Sequence, residues 1–363
     1  MLTFIPFLRY MKRVLSFFFL SLLALSCTTK GHYTSSPIAN YRALWEVLDK
    51  GYCYFDEKLP QDSSWYDMYN KYLPLIANDM GQDSLFDVMG MLLSELKDGH
   101  VNIIAPFDVS RYSRWRSDYP PHLDASIRSR YLGESYRIAG GLYYTPISYL
   151  DHAKDSIGYI VYTSFSNSLS ESGISSAFVR LARCKALIID IRGNGGGYVS
   201  HSTLLASHFT DKRVLTGYMR HKTGPGHREF SAPVPVYLDT LKMGIKWLRP
   251  VVVLTNRGVY SAANDFTMNM KNLPLVTIMG DQTGGGGGLP RSSELPNGWA
   301  VRYSASMMTD ADDRQVEHGI LPHYKVALTP EDVADGKDTL IEEAIAYLNR
   351  TTKEYRLTGV YKK

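Results

Sequence analysis

Two short apolar runs that end in polar turns constrain the fold of this chain most. They span residues 186–191 and 251–254, and each leads through a turn into a helical pattern, at 200–209 and 262–270. A third apolar run follows at 275–279. Continuous apolar runs of this length are typical of central strands that are covered on both faces. The repetition of strand, turn and helix predicts a layered α/β core.

The residues before this core follow a helical pattern instead. The clearest stretch places apolar side chains at the i, i+3, i+4 and i+7 spacing of one buried helix face, namely Leu85, Val88, Met89, Leu92, Leu93 and Leu96. The chain has 363 residues, which is enough for more than one folded unit. We predict an N-terminal helical subdomain at 38–104, an irregular connecting segment at 105–156, the α/β domain at 157–350 and a C-terminal tail at 351–363.

The first 27 residues form a separate unit with the character of an export signal. Basic residues at Met11-Lys12-Arg13 precede an apolar run, Val14–Ser26, that is too short to cross a membrane. The run ends at Cys27 and resembles a bacterial lipoprotein cleavage site, although Ala24 stands where leucine is usual. We predict a signal peptide at 1–27, lipidation of Cys27, a polar tether at 28–37, and anchoring to the outer membrane of the cell envelope. A plain secretory signal is the alternative.

Composition excludes several classes of partner. Lysine and arginine total 40 against 36 acidic residues, so the formal net charge of +4 gives no reason to expect nucleic acid. The cysteines that follow the signal are Cys53 and Cys184, which form either one disulfide or two buried thiols. No spacing of cysteine and histidine is typical of a zinc site, and no cofactor is predicted.

Three segments carry residues with chemical potential, and each also has a purely structural interpretation. Asp190–Gly197 follows a predicted strand, and its glycines can expose backbone N–H groups to an oxyanion or phosphate, or can simply form a flexible turn. Ser261 stands at the start of a predicted helix, as a nucleophile or a helix cap. His100 follows the end of a predicted helix, as a general base or a structural histidine.

These segments, taken together and in order, resemble the carboxy-terminal processing (tail-specific) serine peptidase family, and more closely its tricorn-like branch. The resemblance extends over about 41–348 and rests on Leu96–His100, Asp190–Gly197, Ser261–Asn264, Thr283–Gly288 and Gly319–Pro322. It implies a crotonase/ClpP-like α/β catalytic core and cleavage of peptides or unfolded proteins, with oligomers possible. It further implies the following roles: Ser261 as nucleophile, His100 as base, Glu317 as the group that orients His100, and the amides of Ala262, Gly195 and Gly196 as the oxyanion hole.

The sequence departs from the family pattern at several positions. The glycine-rich segment 281–288 has no lysine, which argues against a Ser/Lys dyad. Gly99 replaces a serine that the tricorn-like branch often has, Asn264 replaces a glutamate, and His323 replaces an aspartate. The stretch between His100 and residue 158 is too short for a PDZ-type domain. Two other functions remain open: an inactive peptide- or glycan-binding lipoprotein on the same fold, and, less favoured, an acyl-CoA enzyme of the related crotonase-like fold.

Overall fold

A computed structural model describes residues 35–150, 152–359 and 361. The predicted signal peptide, Cys27 and most of the tether lie outside these residues. The helices are α1 (Pro37–Gly51), α2 (Phe55–Lys58), α3 (Trp65–Tyr72), α4 (Gln82–Ser94), α5 (Arg114–Ser117), α6 (Ala125–Leu132), α7 (Glu171–Arg180), α8 (Val199–Ser207), α9 (Ala262–Lys271), α10 (Pro330–Ala334) and α11 (Thr339–Thr358). Short 3-10 turns lie at Leu73–Leu75 and His152–Asp155.

The strands form two sheets. They are β1 (Asn102–Ile104), β2 (Arg137–Ala139), β3 (Leu142–Pro146), β4 (Ile157–Tyr162), β5 (Ala186–Asp190), β6 (Val214–His221), β7 (Val234–Leu238), β8 (Val251–Thr255), β9 (Val276–Gly280), β10 (Leu289–Glu294), β11 (Ala300–Asp310) and β12 (Tyr324–Lys325). The larger sheet has the order β12-β9-β8-β5-β4-β3-β2, and the smaller has β1-β11-β6-β7 with β10 also paired to β11.

The larger sheet is covered on both faces, as the apolar runs predict. From β12 to β4 its strands are parallel, and β3 and β2 extend it in antiparallel fashion. Ile189 faces a core formed with α7, α8 and α9, whereas its neighbour Ile188 faces a second core formed with α6 and α11. The side chains of a strand alternate between faces, so a run buried on both sides must be apolar throughout. The predicted layered α/β core is confirmed.

The N-terminal helices pack on the smaller sheet and form a third core with it. Apolar side chains of α1 and α4, such as Leu44 and Met89, cluster there with Trp299 and Val301 of the β11 region. Strand β1 pairs with β11 in antiparallel register, so the chain that leaves α4 is held against this sheet. The helical part therefore shares its core with residues from the C-terminal half of the chain.

Two predicted boundaries differ from the structure. The segment 105–156, predicted to be irregular, contains α5 and α6, and its hairpin β2–β3 extends the larger sheet. The predicted tail at 351–363 continues α11 as far as Thr358, where Gly359 ends the helix in a left-handed conformation. The buried positions of the hairpin are set by pairing with β4, which no local pattern indicates. In the tail, the hydroxyls of Thr351 and Thr352 bond to backbone carbonyls one turn earlier and continue the helix. Within the described ranges, no helix is long and apolar enough to cross a bilayer.

Candidate active site

Ser261 lies at the turn between β8 and α9, beyond the carboxyl end of a central strand. Its backbone has φ 56° and ψ −123°, a conformation that is costly for a residue with a side chain. Its hydroxyl makes no capping hydrogen bond to α9. Instead, Oγ lies 2.9 Å from Nε2 of His100. The capping interpretation is therefore not what the structure shows, and the strained backbone directs the hydroxyl to the imidazole.

His100 lies in the turn between α4 and β1 and is only 3% exposed. Its backbone N–H donates to Oδ1 of Asp98 at 2.7 Å, and its ring packs against Tyr260 with centroids 5.0 Å apart. Nδ1 is buried and has no hydrogen-bond partner among the described residues. Burial lowers the pKa of His100 to about 4, and the negative charge of Asp98 opposes this change only in part. The ring is thus neutral over the physiological pH range and available as a base.

Asp98 is the carboxylate that organises the region around His100, and sequence reasoning did not assign it a role. Besides the amide of His100, it accepts hydrogen bonds from Tyr52 at 2.9 Å, Tyr260 at 3.2 Å and Ser304 at 3.1 Å. Burial alone would raise its pKa, but the net pKa is lowered by the positive charge of Lys58, by the electrostatic interaction with the His100 side chain and by these hydrogen bonds. A buried carboxylate with this many donors keeps its negative charge. Its only sequence signal was its place two residues before His100.

Glu317 does not hold His100, contrary to the predicted role. Its Oε1 lies 2.7 Å from Nζ of Lys58 in a buried ion pair, and its Oε2 accepts a hydrogen bond from the N–H of Gly287 at 2.9 Å. Burial and the charge of Asp98 raise the pKa of Glu317 to about 7, although Lys58 opposes them. With both oxygens engaged in this way, Glu317 holds the glycine-rich segment rather than the imidazole.

The glycine-rich segment 283–288 lies against the nucleophile, and its glycines are required by close packing. The carbonyl of Gly285 accepts the N–H of Ser261 at 2.9 Å. At Gly286, with φ 74°, an added Cβ would lie 2.5 Å from the ring of Tyr260. The segment therefore fixes the serine through backbone contacts.

A pair of stacked aromatic rings occupies the space beside Gly99. Tyr260 and Trp115 stack with centroids 4.0 Å apart. A Cβ added to Gly99 would lie 2.7 Å from Nε1 of Trp115 and 3.1 Å from the Tyr260 hydroxyl. The serine that the tricorn-like branch often has at this position would not fit here without movement of these rings. The hydroxyl of Tyr260 donates to Asp98.

The three predicted oxyanion-hole residues are not equivalent. An added Cβ at Gly196 would lie 2.8 Å from Cβ of Ser261, so this glycine packs directly on the nucleophile. Its N–H, however, already donates to Oδ1 of Asn194 at 3.0 Å. The amides of Ala262 and Gly195 make no hydrogen bond to any residue in the described ranges. Of the three predicted amides, those two are therefore unpaired within the described ranges, and Gly196 allows the close approach of its turn to Ser261.

A buried charge network holds the Asp190–Gly197 turn in place. Arg192 forms a two-point ion pair with Asp190, with Nη2 2.6 Å from Oδ2 and Nε 2.9 Å from Oδ1. Its Nη1 lies 3.0 Å from Asp338, which caps the N-terminus of α11. Tyr159 donates a further hydrogen bond to Asp190 at 2.8 Å. The acidic and basic residues of this motif are therefore structural, and they fix the glycines that follow.

The other two departures from the family pattern have structural explanations. Asn264 is 1% exposed, donates to the carbonyl of Val316 at 3.2 Å and accepts from the hydroxyl of Thr283 at 2.6 Å. His323 pairs with Ile278 through its backbone and through Nδ1.

Cys53 and Cys184 are both buried free thiols. No group of three or more His, Cys, Asp or Glu side chains in the described ranges is placed to hold a metal ion.

Known proteins resemble this chain in both sequence and fold. Residues 156–326 match Peptidase family S41, and residues 38–94 match the Tricorn protease C1 domain. The crystal structure of a "putative peptidase" from Parabacteroides merdae is 48% identical, with a TM-score of 0.80 over 87% of this chain and 97% of that one. Carboxy-terminal processing protease CtpA of Bacillus subtilis is 26% identical over 183 residues, which are 50% of this chain and 37% of that protein.

Tricorn protease of Thermoplasma acidophilum is 26% identical over 198 residues, which are 54% of this chain and 17% of that protein. The chain thus spans well under half the length of these two curated relatives. The Parabacteroides protein, in contrast, is matched over nearly its whole length. The S41 match includes the Asp190–Gly197 turn, Ser261 and Glu317, and the resemblance predicted from the five ordered motifs is confirmed. The chain belongs to peptidase family S41.

Proposed function

We propose that this protein is a serine endopeptidase that cleaves peptides or unfolded proteins, with Ser261 as its nucleophile and His100 as its base. The observation that carries the proposal is the 2.9 Å contact between Oγ of Ser261 and Nε2 of a neutral, buried His100. A hydroxyl needs such a base within hydrogen-bond reach in order to attack a carbonyl near neutral pH.

The geometry supports a double-displacement mechanism. His100 removes the proton of Ser261 as Oγ attacks the peptide carbonyl, and the amides of Ala262 and Gly195 stabilise the oxyanion. His100 then donates the proton to the leaving amine, and the acyl-enzyme forms. Water, activated by the same imidazole, hydrolyses the ester and restores the free serine.

We further propose that Asp98 replaces Glu317 as the carboxylate that supports the imidazolium. Asp98 binds the backbone of His100, and among the charges near the ring it is the one that raises the pKa of His100. In a Ser-His-Asp triad the carboxylate also receives the proton of Nδ1. Here Nδ1 has no partner in the described ranges, so the support is electrostatic and acts without a direct hydrogen bond to the ring.

The cell envelope is the proposed location, with Cys27 as the site of a lipid anchor. The support is the sequence pattern of residues 11–27 alone. Expression of wild type and Cys27→Ser with a labelled fatty acid tests it. We expect incorporation and membrane association in wild type and neither in Cys27→Ser. Equal fractionation of the two proteins without incorporation would reject the anchor.

The peptidase proposal is tested by cleavage of fluorescently labelled casein. We expect release of small fragments by wild type and by Ser200→Ala, a control at an exposed serine of α8. Ser261→Ala and His100→Ala should lose several orders of magnitude in rate. Comparable cleavage by Ser261→Ala would reject the nucleophile. Absence of cleavage by all four proteins, with peptide binding retained, would favour the alternative of a non-catalytic binder.

A further inference from the structure

A small cavity opens directly beside Ser261. It has a volume of about 80 Å³, room for several water-sized groups. Apolar side chains form most of its wall, namely Val199, Met268, Leu289, Pro290, Met308 and Val316. Two ionisable side chains also reach it, Asp265 and Arg302. A pocket that shares a wall with the nucleophile is where a substrate group next to the scissile bond would lie, so these two residues determine what that group can be.

Arg302 is directed to the catalytic side of the smaller sheet by the register of β11. It pairs with Asn102 of β1, two residues after His100. Side chains two apart on a strand share a face, and Ser304 on that face donates to Asp98 at 3.1 Å. The positive charge of Arg302 is also among the causes that lower the pKa of His100. The guanidinium therefore lies close to both the base and the cavity.

The guanidinium of Arg302 has no polar partner among the described residues. The side chain is partly buried, yet it makes no hydrogen bond or ion pair with any residue that the structure describes. Burial lowers its pKa, and electrostatic interactions with Tyr260 and then Asp98 oppose this only in part. Taking an arginine out of water without a counter-ion is unfavourable, whereas its planar fork of donors suits a carboxylate in two-point geometry.

Asp265 is differently placed and is already satisfied. Its Oδ2 accepts hydrogen bonds from Ser202 of α8 at 2.5 Å, which ties α9 to α8, and from Asn269 within α9 at 3.1 Å. Burial raises the pKa of Asp265 to about 6, so its charge is weakened as the pH falls. Neither Asp265 nor Arg302 is among the causes of the other's shifted pKa. Among the described residues, the one ionisable group in the cavity wall that has no partner is therefore the cationic guanidinium of Arg302.

We infer that Arg302 is a specificity-determining residue that binds a carboxylate of the substrate beside the scissile bond. This inference rests on the proposed peptidase function. The carboxylate belongs either to an aspartate or glutamate side chain or to the C-terminus of the peptide. The apolar wall accommodates the short carbon chain that carries it.

Binding to a protein with Ser261→Ala tests the inference without requiring catalysis. The probes are short fluorescent alanine peptides in which one glutamate or glutamine is moved along the chain, each with a free or an amidated C-terminus. We compare Ser261→Ala with the double variants that add Arg302→Gln, Arg302→Lys or, as a control, Arg291→Gln. Arg291 is an exposed residue on the adjacent strand β10. Cleavage of the same peptides by the corresponding single variants is measured in parallel.

We expect Arg302→Gln to weaken binding of carboxylate-bearing peptides by roughly ten- to a hundredfold, the value of a charge-assisted hydrogen bond. Amidated glutamine peptides should be unaffected, Arg302→Lys should recover part of the loss, and Arg291→Gln should change nothing. A loss confined to glutamate peptides identifies a side-chain carboxylate, and a loss confined to free C-termini identifies the α-carboxylate. Equal effects of Arg302→Gln and Arg291→Gln, or a preference for basic peptides, would overturn the inference. Selective binding without cleavage would instead reject only the peptidase function.

Discussion

The buried imidazole of His100 predicts an unusually low acid limit for catalysis. Burial lowers its pKa from 6.5 to about 4. At about 1.4 kcal/mol per pH unit, protonating the ring in the folded protein costs about 3 kcal/mol more than in the unfolded chain. Only neutral imidazole can accept the proton of Ser261. The rate at which a fluorophosphonate modifies Ser261 should therefore lose its histidine-dependent part only as the pH falls through about 4.

The same shift predicts a loss of stability in acid. Because the folded pKa is lower than the unfolded value, the unfolded chain binds the proton first as the pH falls from 6.5 towards about 4. His100 thus contributes its full stability above 6.5, and up to about 3 kcal/mol is lost across that window. As the pH is lowered, the free energy of unfolding of His100→Gln should therefore decrease less steeply than that of wild type.

Two measurements check this prediction: the modification rate against pH, and urea unfolding across the same pH range. Glu317 needs a control, because its raised pKa of about 7 means that it loses its charge, and its ion pair with Lys58, within the range tested. Glu317→Gln removes that titration, so the pH dependence that remains can be attributed to His100. An acid limit near 6.5 in Glu317→Gln, with no difference in pH-dependent stability between wild type and His100→Gln, would refute the reasoning.

Three further substitutions follow from the site. Gly196→Ala should abolish casein cleavage, because the added Cβ would lie 2.6 Å from a backbone oxygen and 2.9 Å from a backbone nitrogen of the turn that carries Ser261. The control Gly90→Ala should keep cleavage, since the nearest atom to its added Cβ is 3.6 Å away. Glu317→Gln leaves Lys58 buried without its closest counter-ion, so urea unfolding should show a loss of roughly 3 kcal/mol, partly recovered by adding Lys58→Met. Asp98→Asn removes the charge that supports the imidazolium, so kcat should fall roughly ten- to a hundredfold with little change in KM.

Each of these has a contrary outcome. An active Gly196→Ala protein would show that the turn can move away from the nucleophile without cost. Unchanged stability of Glu317→Gln would mean that Lys58 finds another partner or reaches water. If Asp98→Asn is folded, as judged by circular dichroism, and keeps its kcat, the carboxylate is structural only.

The central strands and the catalytic pair could be predicted because their signals are local. The apolar runs at 186–191, 251–254 and 275–279 became β5, β8 and β9 within about one residue. A serine at the turn after β8 and a histidine after α4 were identified from ordered motifs, and the structure brings them to 2.9 Å. A strand that is buried on both faces must be apolar at nearly every position, so it can be recognised in the sequence as a continuous apolar run.

Contacts between distant parts of the chain could not be predicted in the same way. Glu317 was predicted to orient His100, but its carboxylate instead forms an ion pair with Lys58 of the short helix α2. The role of Asp98 depends on hydroxyl groups brought by three separate elements. The hairpin β2–β3 reads as irregular because its buried positions are defined by pairing with β4. In each case the tertiary fold, rather than local pattern, selects the partner.

The most direct test of the account is the intact mass of the protein after incubation with a fluorophosphonate probe. Wild type should gain the mass of one adduct at Ser261, because a hydroxyl 2.9 Å from a neutral imidazole is activated for attack on phosphorus. Ser261→Ala and His100→Ala should gain none over the same time. An unmodified wild type, or a His100→Ala protein that is labelled as fast as wild type, would contradict the claim that these two residues form the catalytic pair.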